Sequence, residues 1–125
     1  MNWIAVVLGG AAGCAARHAV NLLFAHYTRS ATPMATATVN LAGSFAIGAL
    51  AGLVSIGRIQ MSAPARTFVF VGILGGFTTF SSFMLDTLTL SQGGREGAAV
   101  ANLALQLAGG IACVWAGYYG ALTLR

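Results

Sequence analysis

Charge is what this sequence has least of. Its 125 residues include six arginines, two acids (Asp86 and Glu96) and no lysine. Charged residues make up 6% of the chain, against 58% hydrophobic, where a soluble domain carries about 25% charged. So few charges cannot cover the polar surface that a water-soluble fold of this size needs. Disorder is excluded as well, because disordered chains are poor in apolar residues. With a mean hydropathy of +0.83, most of the chain has lipid as its solvent. The length allows one domain, 1–125.

Other scarcities exclude further classes. The arginines stand singly at positions 17, 29, 58, 66, 95 and 125. They form no basic cluster or basic helix face, so nucleic acid is not a partner and juxtamembrane anchoring is the better reading. The two cysteines, Cys14 and Cys113, lie inside apolar runs. They build neither a disulfide framework nor a metal site, and read as small packing residues. His18 and His26 have no nucleophile or metal-ligand cluster around them, so an enzyme is not expected.

A hydrocarbon core of about 30 Å needs roughly 20 helical residues. Four stretches qualify: about Trp3 to Phe24, Pro33 to Ile56, Ala65 to Leu90 and Gly97 to Leu122. The breaks between them are HYTRSATP, GRIQMSAP and SQGGRE. Pro33 and Pro64 suit helix starts, where a missing N–H costs little. Trp3, Tyr27, Tyr118 and Tyr119 suit the membrane interface. Without a positive leading region, and with Arg17 and His18 inside it, the first span reads as a retained span, not a cleaved leader. Gly9 and Gly13, Gly48 and Gly52, and Gly72 and Gly76 are spaced four apart and predict close helix contacts. Gly109, Gly110, Gly117 and Gly120 read the same way.

Four spans put both termini and the 57–64 loop on one face. Arg58, Arg66 and Arg125 belong to that face, and Arg29, Arg95 and the nearer Arg17 to the other. Orientation is chosen by Lys/Arg asymmetry, and here there is almost none. The chain is therefore expected to insert both ways and to pair as an antiparallel homodimer with its two-fold axis in the membrane plane.

Polar residues inside the spans need a reason. The second span carries Thr36, Thr38, Asn40 and Ser44, with Asn40 and Ser44 one turn apart. They are either interhelical hydrogen-bonding groups or the lining of a polar path. The third span reads GGFTTFSSFMLD from Gly75 to Asp86. Gly75 and Gly76 weaken a helix, and the hydroxyls of Thr78, Thr79, Ser81 and Ser82 compete for its backbone. A break there is tolerable only where protein or a cavity satisfies the backbone. Its freed carbonyls would suit a buried monovalent cation. Phe80 and Phe83 share a helical face, with Phe77 one turn earlier; the positive edges of such rings can meet a small anion. The fourth span has a second polar stripe, Asn102 and Gln106. Arg17 either snorkels to the interface or lines a wet vestibule that draws anions. Asp86 is read as structural, pairing with an arginine or capping polar neighbours.

The mid-chain GGFTTFSSF, the second-span TVNLAGSF and the AARH late in the first span make the chain resemble the CrcB/Fluc fluoride channels along its whole length. The resemblance implies an all-α membrane protein of four transmembrane helices with a broken third helix. It further implies a dual-topology antiparallel homodimer in the bacterial plasma (inner) membrane. Its implied function is passive export of fluoride through two antiparallel pores, with a structural sodium ion (Na+) at the dimer centre. Residue by residue, Phe80 and Phe83 would border the fluoride path and Asn40 would be the pore asparagine. Thr38 and Ser82 would be polar lining. Gly75 and Thr78 would offer carbonyls to sodium, and Arg17 would sit near a vestibule. There are departures: Ser82 stands for a more usual Thr, Met84 and Leu85 for Ser-Ala, and Asp86 for a frequent Glu. Asn102, Gln106 and Gly110 stand where some members carry Tyr and Ser. Two rivals share the size: a dual-topology drug/proton antiporter, which needs a membrane carboxylate that the first span lacks, and a non-transporting membrane subunit, which needs no hydroxyl-aromatic break.

Overall fold

The apolar runs fold as four long helical stretches joined by short connections. The computed structural model describes residues 2–28 and 33–125. Helix α1 spans Trp3–Thr28 and α2 spans Met34–Ser55. The third stretch is composite. It opens with α3 (Ala63–Arg66), widens into a π-helical segment (Thr67–Leu74), and continues as α4 (Gly75–Phe77) and α5 (Phe80–Gln92). The last helix, α6, is Glu96–Leu122. The shortest uninterrupted span, α2, has 22 residues and rises about 33 Å, enough to cross the hydrocarbon. All four stretches are long and apolar enough to span a bilayer, so this is a multi-pass membrane protein. Arg29 lies outside the described residues.

The helix ends follow from local chemistry. Pro33 occupies the N-cap of α2, and Pro64 the first turn of α3. There the Ser62 hydroxyl accepts from the Ala65 amide at 3.4 Å. After α2 the chain reverses at Gly57, with φ +73°. Its amide returns to the Val54 carbonyl, and that of Arg58 returns to Leu53. Gly94, with φ +71°, repeats the pattern after α5: Gly94 bonds to Ser91 and Arg95 to Leu90. Both are Schellman endings, which need a left-handed residue that glycine adopts without a Cβ penalty.

Packing depends on missing side chains. A Cβ on Gly9 or Gly13 of α1 would strike the carbonyls of Phe68 or Ile73, and one on Gly76 would lie 2.7 Å from the Gly10 carbonyl. A Cβ on Gly48 would strike the Val114 carbonyl, and one on Gly52 would lie 2.6 Å from that of Tyr118. Contact numbers rise together in both pairs, so α1 runs parallel to the first half of the third stretch and α2 runs parallel to α6. Bulky Trp3, Leu8, Val100 and Trp115 face outward, while Ala35, Ala37, Ala99 and Ala121 are buried. Lipid competes with large apolar side chains, so close backbone contact is what holds such helices together. At one membrane face, Arg58 ties the loop after α2 to the end of the chain: its Nε and Nη2 donate to the Leu124 carbonyl at 2.8 and 2.5 Å.

Some packing expectations fail. Gly120 has nothing within 4 Å of a would-be Cβ and faces outward. Cys14 is exposed, not packed inside the chain. Gly75 and Gly76 are helical; the extended residues are Thr78 and Thr79.

Candidate functional site: the polar cleft at Thr78–Thr79

Between α4 and α5 the backbone leaves the helix for two residues. Thr78 has φ −83° and ψ 159°, and Thr79 has φ −153° and ψ 115°. The bonds that would have continued the helix are captured from elsewhere. The Thr79 amide, which would close a turn on the Gly75 carbonyl, donates instead to Asn40 Oδ1 at 2.8 Å. The Gly76 carbonyl, which would have served Phe80, accepts from Arg17 Nε at 3.2 Å. The Ser82 amide, which would have served Thr78, donates to Thr79 Oγ1 at 3.3 Å as the N-cap of α5. The carbonyls of Gly75 and Thr78 thus lose the amides that would close helical turns on them. Thr78 fits here because Gly43 on α2 has no Cβ; one there would strike Thr78 Cγ2. Thr78 also folds back, its hydroxyl donating to the Leu74 carbonyl at 3.0 Å.

Asn40 is the hub. Its Nδ2 donates to the Thr79 carbonyl at 3.0 Å and to Gln106 Oε1 at 2.7 Å. Behind it, Gln106 Nε2 donates to Asn102 Oδ1 at 2.9 Å, and Asn102 Nδ2 donates to Thr87 Oγ1 at 2.9 Å. Thr87 in turn donates to the Phe83 carbonyl at 2.8 Å. The chain therefore starts and ends on the backbone of the third stretch. Its direction is forced, since a peptide N–H can only donate and a peptide C=O can only accept. Those two groups of Thr79 set the Asn40 amide, and each later amide must follow.

Asn40, Gln106, Phe80 and Phe83 line one cleft of ≈ 350 Å³, together with Ser44, Gly75, Thr78 and Thr79. The two rings meet edge to face, with centroids 5.7 Å apart and planes at 78°. Phe83 is 2% exposed and Phe80 68%, so one ring is fixed in the protein and the other projects from it.

Of the residues singled out from sequence, Asn40, Gly75, Thr78, Phe80 and Phe83 come together here. Thr38 and Ser82 do not line the cleft. Thr38 is exposed, and its hydroxyl bonds its own helix at Met34. Ser82 instead supports the N-cap, with Thr79 Oγ1 donating to its hydroxyl at 3.1 Å. Arg17 braces the interruption through Gly76. Asp86 is 8% exposed, and its Oδ2 finds no hydrogen-bond partner among the described residues, so no arginine pairs with that oxygen there. Sequence reasoning missed that Gln106 is Asn40's partner. Each stripe was visible in the sequence, Asn40 with Ser44 and Asn102 with Gln106 at i, i+4 spacing, but not that their two helices meet.

Comparison with known proteins decides the family. Residues 4–118 match the model described as CrcB-like protein, Camphor Resistance (CrcB). The chain belongs to the CrcB family. It is 48% identical over 102 residues to the fluoride-specific ion channel FluC of Rhodospirillum centenum, covering 81% of this chain and 79% of that one. It is 42% identical to the protein of the same name from Paramagnetospirillum magneticum, over 100% of this chain and 98% of the relative. Identity to the Opitutus terrae protein of that name is also 42%, over 98% of this chain and 94% of the relative. These CrcB relatives are named as ion channels, not enzymes.

Proposed function

We propose that this protein is a fluoride channel of the bacterial inner membrane, working as an antiparallel homodimer. The observation that carries the reading is the interruption at Thr78–Thr79, which joins Asn40, the first turn of α5 and the Phe80–Phe83 pair in one cleft. The relatives named fluoride-specific channels support it.

Fluoride is small and tightly hydrated, so a path must replace its water with donors. Within the cleft the candidate donors are the Asn40 amide, the Ser44 hydroxyl, the Phe80 amide at the start of α5, and the edges of Phe80 and Phe83. An N-terminal helix turn favours an anion, and ring edges carry the positive end of the aromatic quadrupole. Several weak sites, not one strong one, permit passage. Fluoride enters cells as neutral HF and is trapped by ionising. An inside-negative potential then expels it, at about 2.3 kcal/mol per charge per 100 mV, so no energy-coupled step is required. A drug/proton antiporter is disfavoured because no carboxylate lines the cleft.

A second copy is supported by the surface. The cleft holds polar groups, and Phe80 projects from it. Lipid cannot satisfy those groups, whereas an oppositely inserted copy would cover them. The near-equal arginine count on the two faces supports both insertions.

The freed carbonyls of Gly75 and Thr78 are uncharged oxygen donors, and they suit sodium better than a transition metal. These residues from each of two copies would hold the ion. When bound, it supplies a fixed positive charge that ties the copies together. Arg17 and Asn40 keep those carbonyls available by holding the interruption in place.

The test is fluoride efflux from liposomes reconstituted with the purified protein, read by a fluoride electrode. Fluoride efflux with chloride retained is expected. No efflux, or equal passage of chloride, overturns the channel reading.

A further inference from the structure

Asn40, the residue that the fluoride reading relies on most, has no donor to spare. An asparagine amide carries two N–H groups. One goes to the Thr79 carbonyl and the other to Gln106 Oε1. An anion can be received at Asn40 only if one of these bonds opens, and the two are unequal. The Thr79 bond is half of a reciprocal pair, so breaking it would disturb the backbone that holds the interruption. The Gln106 bond is a single contact between two side chains, and both line the cleft.

We propose that Gln106 is a specificity-determining residue of the pathway: its Oε1 is a built-in competitor that occupies the Asn40 donor until a stronger acceptor displaces it. This rests on the fluoride-channel reading and deepens it. Gln106 is suited to the role because it is held from behind. Its Nε2 is bound to Asn102 Oδ1, and Asn102 is bound to Thr87, so its oxygen returns to Asn40 once the anion leaves. The competitor also sorts anions. To gain the N–H, an ion must replace an amide oxygen at 2.7 Å. Fluoride, small and a strong acceptor, meets that demand; chloride, larger and a weak acceptor, does not. The amide oxygen thus lowers affinity for every anion and excludes the weakest acceptors.

The test uses the full chain in liposomes and measures initial efflux against internal fluoride concentration. Gln106→Met keeps the length and removes the acceptor. The half-saturating fluoride concentration should fall about fivefold, the worth of one ordinary hydrogen bond, and chloride leak should rise. Gln106→Glu, assayed at a pH where its carboxyl is ionised, keeps the acceptor at Asn40 and makes it anionic, so half-saturation should rise. An unmoved half-saturation in Gln106→Met overturns the proposal, even if its melting temperature drops through the orphaned Asn102. If Gln106→Met does not fold, Gln106→Glu decides alone, and an unchanged or lower half-saturation overturns the idea. Wild-type liposomes that pass no fluoride remove the channel reading and this proposal together; wild-type flux with unshifted variants removes this proposal only.

Discussion

The side-chain amide of Asn40 pairs with the backbone of Thr79 through one hydrogen bond in each direction, at 2.8 and 3.0 Å. It does for the third stretch what a neighbouring strand does for an extended residue: it takes up both peptide groups. A break in a membrane helix otherwise leaves those groups facing a medium with no water. Asn40→Ala should therefore cost about 2 kcal/mol or more, since two peptide groups lose their partners. The expected result is a lowered melting temperature in detergent together with lost efflux. Asn40→Ala with unchanged stability would mean that water replaces the amide.

The two phenylalanines of the cleft should separate under mutation, because one is buried and the other projects. Phe83→Ala removes a ring that is 2% exposed and should cost about 3–5 kcal/mol. Phe80→Ile alters a ring that projects from its own chain, 68% exposed there, so the packing within each chain should hold and the melting temperature should fall less than in Phe83→Ala. Efflux through Phe80→Ile should nevertheless fall steeply, because an aliphatic side chain has no positive edge to offer an anion. Parallel melting and efflux curves for the two variants check this. Normal flux in Phe80→Ile would remove the ring from the pathway.

Glycine contacts make a prediction that needs no function. Gly13→Ala and Gly48→Ala would push a methyl group into the carbonyls of Ile73 and Val114. Backbone cannot step aside as a side chain can, so each should separate its helix pair and lower the melting temperature. Gly120→Ala meets open space and should be silent. Size-exclusion profiles and melting curves of the three purified variants supply the comparison.

Much of this was legible in the sequence because lipid imposes long apolar runs. The four spans, the proline starts and most of the glycine contacts follow from length and spacing. The disruption of the third span was also visible in its hydroxyls, but its location was not. Gly75 and Gly76 looked like the weak point, yet a glycine pair remains helical when another helix packs against it, as Gly10 does against Gly76. The interruption falls where outside partners capture the bonds: Arg17 at Gly76, Asn40 at Thr79. Such capture depends on which helices meet, and no single-chain pattern reveals that. The same reason hid the Asn40–Gln106 contact and left Thr38 looking like lining, although its hydroxyl is spent on its own helix.

Arginine placement offers a test of how the chain assembles. By chain order Arg58, Arg66 and Arg125 fall to one face and Arg29 and Arg95 to the other, while Arg17 is held at the mid-span interruption through Gly76. Gln60→Arg with Ser62→Arg adds two charges to the three of the first face, making the count five against two. Cytoplasmic segments retain the excess of Lys/Arg, so nearly all copies of this variant should insert in one orientation. A C-terminal reporter active on only one side of the membrane should then mark one side alone, where the wild-type fusion should mark both. If the working unit needs oppositely inserted copies, efflux should collapse in this variant even though each chain folds. Ser91→Arg with Gln92→Arg biases insertion the other way and should be equally inactive alone. Co-expression of the two variants restores opposite orientations in one membrane and should restore efflux. That recovery is the decisive measurement, because a damaged fold would not be repaired by a partner carrying its own pair of substitutions.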